Sequence, residues 1–471
     1  MSSDPDRVIV VGGGITGLTA AYRVAKLLPS ATITVLEADD RVGGKILSSP
    51  FAGVNGVDEG ADAFLTRVPD AMELAGELGL GDQLTSPAVG SASVWWDGLH
   101  PIPEGLLLGV PSDLAKLART KLLTWPGKLR AALEPILPAT GVAQDSVGRL
   151  IRKRFGKQVH ERLVDPLIGS IYAADTDHFS LAGVPQILEL ATDNRSLLIG
   201  ARRARARAAK AALAAPTGPI FASPRAGMSA LTAALMTELR ERGVQVLLGT
   251  TVSALNRGDA DRRHWLVDGR AADAVVLATP ARPTGPLLAG VSAEAAASLA
   301  RFDHAGVVIL TLAIDPTDWP RALHASSGYL VPKPVQGWVT AVSFASAKWA
   351  HWRNDPHGAF LLRISLGRDG RDLTGETDDA LLRAAVDEVG AHLGLILQPM
   401  AHRITRWPMA FPQYRPGHAA KVAAIEAALI RDAPGVFIAG ASYHGIGIPA
   451  CIRQGNSVAG AVAAFLVSVR Q

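Results

Sequence analysis

The first 37 residues leave this chain few folds to choose from. A β-branched run, Val8-Ile9-Val10-Val11, leads straight into Gly12-Gly13-Gly14-Ile15-Thr16-Gly17. An apolar-periodic segment follows over residues 18–28, and a second apolar run over 32–36 ends at Glu37. This is a βαβ unit of about 30 residues with GxGxxG at Gly12, Gly14 and Gly17 and a carboxylate some 20 positions further on. Each position has a task. Gly12 makes the tight turn, Gly14 lets backbone approach a pyrophosphate lying on the helix N-terminus, and Gly17 lets helix and strand pack closely. Glu37 is placed to accept hydrogen bonds from a ribose. The unit predicts a dinucleotide site opening an α/β domain.

Composition narrows the rest. At 471 residues the chain has room for two or three packed lobes, and 48% hydrophobic with 19% charged residues is the balance of a globular protein. A formal charge of +4 is too small to imply nucleic acid. The single cysteine, Cys451, excludes an internal disulfide framework and a thiolate-rich zinc site, and fits a reducing cytoplasm. The 12 histidines show no ligand spacing, so no metal is expected. The N-terminus carries Asp4 and Asp6 rather than a basic, apolar leader, and the longest uncharged apolar stretch, 454–469, is short for a bilayer. Mean hydropathy of +0.20 leaves peripheral membrane contact open.

Charge is unevenly spread. Residues 1–100 hold 6 basic and 13 acidic residues, whereas residues 101–215 hold 17 and 10. The densest run, Arg202, Arg203, Arg205, Arg207 and Lys210, lies in an alanine-rich segment that favours helix. It reads either as a solvated helix face or as a surface for an anionic partner, whether a polycarboxylate substrate or anionic lipid.

Three later segments belong with the first. Arg41-Val42-Gly43-Gly44-Lys45 supplies a second glycine pair and two cations; Ala274-Val275-Val276-Leu277 reads as a buried parallel strand ended by Thr279-Pro280. Residues 435–440 read as another such strand, followed by Ala441-Ser442-Tyr443-His444-Gly445-Ile446-Gly447-Ile448-Pro449 and a helical pattern to residue 469. The positive end of that helix would favour an anionic reduced cofactor.

The spacing of the second glycine pair resembles the flavoprotein superfamily of amine oxidases, phytoene desaturases and protoporphyrinogen oxidases, which points to FAD. Nearly the whole chain resembles the porphyrinogen oxidases of haem biosynthesis. The resemblance is carried by Trp407, by Pro412-Gln413-Tyr414-Arg415-Pro416-Gly417-His418 and by residues 440–452. Leu99-His100-Pro101-Ile102-Pro103-Glu104 and Lys348-Trp349 resemble the Gram-positive branch, which implies oxidation of coproporphyrinogen III. The resemblance places noncovalent FAD on Gly12, Gly13, Gly14, Ile15, Thr16, Gly17, Glu37, Ala38, Lys45, Gly60, Ala61, Asp62, Ala63, Val252, Trp407, Ile446, Gly447 and Ile448. Without it, Trp407 and Val252 read as core residues. Val252 is expected on a strand beside the adenine.

The resemblance also implies the chemistry: hydride loss from a meso carbon of a reduced tetrapyrrole to flavin N5, proton loss, and reoxidation by O2, repeated three times. Asp62 is the candidate for an acid/base or electrostatic role, against a turn carboxylate. The chain departs from mitochondrial and plant relatives, which have Gly-Pro-Asn where Gly60-Ala61-Asp62 stands and an arginine that is absent between Gln83 and Lys116 here. Propionate anchoring must therefore differ.

The expected fold is α/β, α+β overall: a Rossmann-like, discontinuous FAD-binding domain (1–86, 216–290, 403–471), a mainly helical lobe (87–215) and a mixed-sheet substrate-binding domain (291–402). Alternatives are a protoporphyrinogen IX oxidase, an amine oxidase or carotenoid desaturase of the same fold, and a module that binds tetrapyrrole without oxidising it.

Overall fold

A computed structural model describes residues 5–138, 145–214, 218–258, 265–353 and 358–470. The βαβ unit forms as the apolar pattern dictates: β1 (Arg7–Val11), α1 (Ile15–Leu27) and β2 (Thr32–Leu36). β3 (Gln245–Leu247), β4 (Ala274–Leu277) and β5 (Val436–Ile438) complete an all-parallel sheet in the order β3-β2-β1-β4-β5. Val8, Val10, Val35 and Val276 are buried in it, matching their continuous apolar runs. One sheet thus draws its strands from segments more than 150 residues apart.

The last helix, α2 (Ile448–Ser468), lies along α1. A Cβ on Gly455 would stand 2.8 Å from both Thr16 O and Thr19 Cβ, so only glycine lets the helices come this close. Among the described residues α2 alone is long and apolar enough to cross a bilayer, but Ile452, Val458, Ala459, Val462 and Leu466 are packed in the core.

A second sheet has seven strands, in the order Ala401–Pro412, His304–Ile314, Phe360–Leu366, Val339–Phe344, Gly328–Leu330, Ala92–Trp95 and Leu99–Pro101. The last two lie in the span expected to be mainly helical. Asp97 and Gly98, at φ 54° and 127°, turn them into a hairpin that adds to the sheet edge. The strand Ala401–Pro412 also belongs here, so Trp407 comes from this sheet and not from the nucleotide-binding layer. The helices between 114 and 214 pack as a separate lobe around Leu150, Ile151, Phe155, Leu163 and Phe179.

Candidate active site

Loops after β1, β2, β4 and β5 meet at the carboxyl edge of the parallel sheet, where such folds bind ligands. Gly12 turns the chain at φ 106°, and its N–H donates to Leu36 O at 2.8 Å. A Cβ on Gly17 would collide with Gly12 O. Gly13 N–H donates to Glu37 Oε2 at 2.5 Å and Asp39 N–H to the other oxygen at 2.9 Å, which holds the Glu37 carboxylate against the loop. Gly14 faces open space, with nothing within 4 Å of the site of its missing Cβ. No side chain caps α1, so first-turn N–H groups stay available to an anion. This cradle fits a pyrophosphate.

The second glycine pair closes on the first. Gly43 N–H donates to Gly13 O at 2.9 Å, and Arg41 holds the bend by donating to Gly44 O at 2.8 Å. At the far end of β2, Thr250 N–H donates to Glu37 O at 2.7 Å, bringing residues 250–252 beside exposed Ala38. Val252 is half-buried there, but it is not on a strand as expected. The chain turns at Gly249, φ 61°, and pairing resumes only at Leu255–Arg257.

Lys45 carries the chain inward, where its Nζ donates to Met409 O at 2.9 Å and burial pushes its ammonium down to about 8. Trp407 Nε1 donates to Glu59 O at 2.9 Å, and Arg363 donates to Gly60 O at 2.5 Å. Asp62 is clamped by Lys348 Nζ at 2.7 Å, Trp349 Nε1 at 3.0 Å and Arg363 at 3.3 Å. Burial opposes its charge, yet Lys348 and Arg363 outweigh burial and hold the carboxyl well below the usual range. At that depressed value the Asp62 carboxylate stays ionised at neutral pH. Exposed Ala61 and half-buried Ala63 flank it.

The motif at 412–418 anchors the C-terminal glycine-rich loop. Tyr414 Oη donates to Ala441 O at 2.7 Å and accepts from Gly445 N at 2.9 Å, while its ring stacks on His418 at 3.8 Å. Gln454 accepts from Gly440 N and His444 N. Ile446 and Gly447 are thereby fixed ahead of Ile448, at the uncapped start of α2. His444 turns away to Glu426 at 2.7 Å. Burial raises the Cys451 thiol, leaving it protonated and a poor nucleophile. Tyr414→Phe is expected to leave Gly445 N–H and Ala441 O without this partner, costing about 1–3 kcal/mol in a denaturant titration and loosening the loop.

Sequence reasoning missed four residues. Arg363 is a cation within the apolar run Phe360–Leu366, and a buried charge needs a partner, which was its signal. Lys348 and Trp349 stood out as a pair but carried no contact in sequence. His304 had no signal: its ring nitrogens are buried, and burial together with the Lys45 and Arg282 charges pushes it down to about 4.

The family described as flavin containing amine oxidoreductase matches residues 15–463. The chain belongs to this family. It is a flavin-dependent oxidoreductase whose cofactor is FAD. The coproporphyrinogen III oxidase of Propionibacterium freudenreichii is 34% identical over 95% of this chain and 89% of its own. That of Bacillus subtilis is 30% identical over 99% and 100%. An Exiguobacterium structure provisionally assigned as a protoporphyrinogen oxidase superposes on this oxidoreductase with a TM-score of 0.85 at 29% identity, covering 98% of this chain and 99% of its own.

Proposed function

We propose that this oxidoreductase converts coproporphyrinogen III to coproporphyrin III, a six-electron oxidation that consumes three O2 and yields three H2O2. The observation that carries the reading is end-to-end similarity to coproporphyrinogen III oxidases from two bacteria, with no large segment of this chain left over. Bound flavin supplies the hydride acceptor and the route to O2.

In this reading the chain's own groups divide the work. The Gly12–Gly17 loop and the start of α1 hold the pyrophosphate, Glu37 the ribose, and the segment from Ala38 to Val252 the adenine end. Lys45, residues 60–63 and Trp407 surround the ring system, with residues 446–448 directing the α2 N-terminus at it. Asp62 holds Lys348 and Arg363 in place beside residues 60–63.

Protoporphyrinogen IX is the second reading, favoured by the Exiguobacterium structure. Aerobic turnover separates the two: coproporphyrin fluorescence and peroxide in a 1:3 ratio support the first, and no porphyrin from coproporphyrinogen III overturns it. A cytoplasmic location and peripheral contact with a membrane complete the proposal.

A further inference from the structure

The helix Asp165–Tyr172 ends in a turn that its own sequence does not favour. The residue that ends it, Ala173, is buried in the left-handed region at φ 47°, where a helix end ordinarily carries glycine. The last carbonyls of a helix also lack partners within it, and here three in succession are taken up from elsewhere. Gln413 Nε2 donates to Tyr172 O at 3.1 Å, Asp369 N–H to Ala173 O at 2.7 Å, and Arg368 Nη2 to Ala174 O. A conformation that alanine disfavours is thus held by the loops that follow the strands Phe360–Leu366 and Ala401–Pro412.

Arg368 does the most. Its buried guanidinium also donates to Asp165 at 3.1 Å, so one side chain spans the first turn of the helix and the carbonyl beyond its last. Asp165 is fixed in turn by Thr176 Oγ1 at 2.6 Å. Gly169 leaves the room this needs: a Cβ there would stand 2.8 Å from Arg368 Nη2 and 3.1 Å from Ala174 O. A buried ion pair adds little net stability, so the geometry it fixes is the better reason for it.

The turn bears on the site. Ala173 packs in one apolar cluster with Ala305, Val307, Ala410 and Trp407. Trp407 is the residue whose Nε1 donates to Glu59 O, and its ring edge lies 3.6 Å from where a Cβ on Gly60 would stand. Through one indole the turn therefore reaches the segment 59–63. Three of the buried members of the cluster are alanines, which have no rotamers to adjust, so a shift of the main chain here moves the whole face.

We propose that Arg368 is a positioning residue for substrate binding: by clamping Ala174 O it fixes the turn 172–174 as one wall of the space that takes the coproporphyrinogen macrocycle. The inference rests on the substrate reading above. The test is kinetics of the flavin-loaded enzyme with coproporphyrinogen III, paired with a titration of coproporphyrin III binding followed by the porphyrin's absorption shift. Arg368→Lys keeps a cation for Asp165 but lacks the fork that reaches Asp165 and Ala174 O together. It is expected to raise KM and the product Kd about tenfold while the limiting rate of flavin reduction stays within about twofold. Gly169→Ala displaces the same guanidinium from a different residue and should do the same. Glu134→Gln, which breaks a buried ion pair with Arg154 elsewhere in the helical lobe, should lower the denaturant midpoint without moving KM.

Unchanged KM and product Kd in both R368K and G169A would overturn the inference and leave the substrate reading intact. An equal rise of KM in E134Q would show that lost stability alone moves it, and would overturn the inference too. An unaltered enzyme that neither oxidises coproporphyrinogen III nor binds coproporphyrin III would overturn the substrate reading and the inference with it.

Discussion

Gly17→Val is expected to give a folded but colourless protein, with the 450 nm to 280 nm absorbance ratio at least tenfold below that of the unaltered enzyme. A branched side chain at position 17 must displace the Gly12 carbonyl and press on Ala278 Cβ, 3.2 Å from the first added carbon. Neither can yield locally. Gly12 is fixed by its N–H bond to Leu36 O, and Ala278 by its N–H bond to Val11 O at 2.8 Å. The strain falls on the loop proposed to hold the pyrophosphate, so cofactor retention is expected to be lost before stability is. Gly44→Ala makes a milder comparison, since an added carbon there meets only Gly14 Cα at 3.4 Å. Its left-handed φ of 55° still disfavours alanine.

The second large effect is expected at Asp62. Asp62→Asn removes the anion shared by Lys348 and Arg363 in a site where the Asp62 side chain is 20% exposed. Leaving two cations uncompensated beside one another costs about 3 kcal/mol, read as a lower denaturant midpoint. The sign with pH follows from the depressed carboxyl. Its contribution is fully present above the ordinary carboxylate range near 4 and is lost as pH falls below it, so the two proteins converge in acid. For catalysis, a fixed charge and a proton carrier give different profiles. Asp62→Asn should slow flavin reduction across the neutral range without removing a limb of the pH profile; loss of one limb would show that Asp62 does exchange protons.

The contrast between these two sites explains what could be read from the chain. Gly17 and Glu37 were legible because the cradle is built from one continuous stretch, whose turn, helix start and strand end impose residue types at fixed spacing. The buried strands around Val276 and Val436 were legible for the same local reason. Asp62 was visible as a carboxylate in a glycine-rich turn, but its partners lie 286 and 301 positions away, a pairing that exists only once the sheets dock. Trp407 was placed near the flavin, yet its strand belongs to the other sheet.

The measurement that bears most directly on the central claim is anaerobic reduction of the bound flavin. The purified enzyme is mixed in a stopped-flow cell with coproporphyrinogen III and, separately, with protoporphyrinogen IX, and the 450 nm band is followed. The account predicts rapid bleaching by coproporphyrinogen III, at least tenfold faster than by protoporphyrinogen IX, with coproporphyrin fluorescence once O2 is readmitted. Flavin that stays oxidised with coproporphyrinogen III, or bleaches faster with protoporphyrinogen IX, would contradict it.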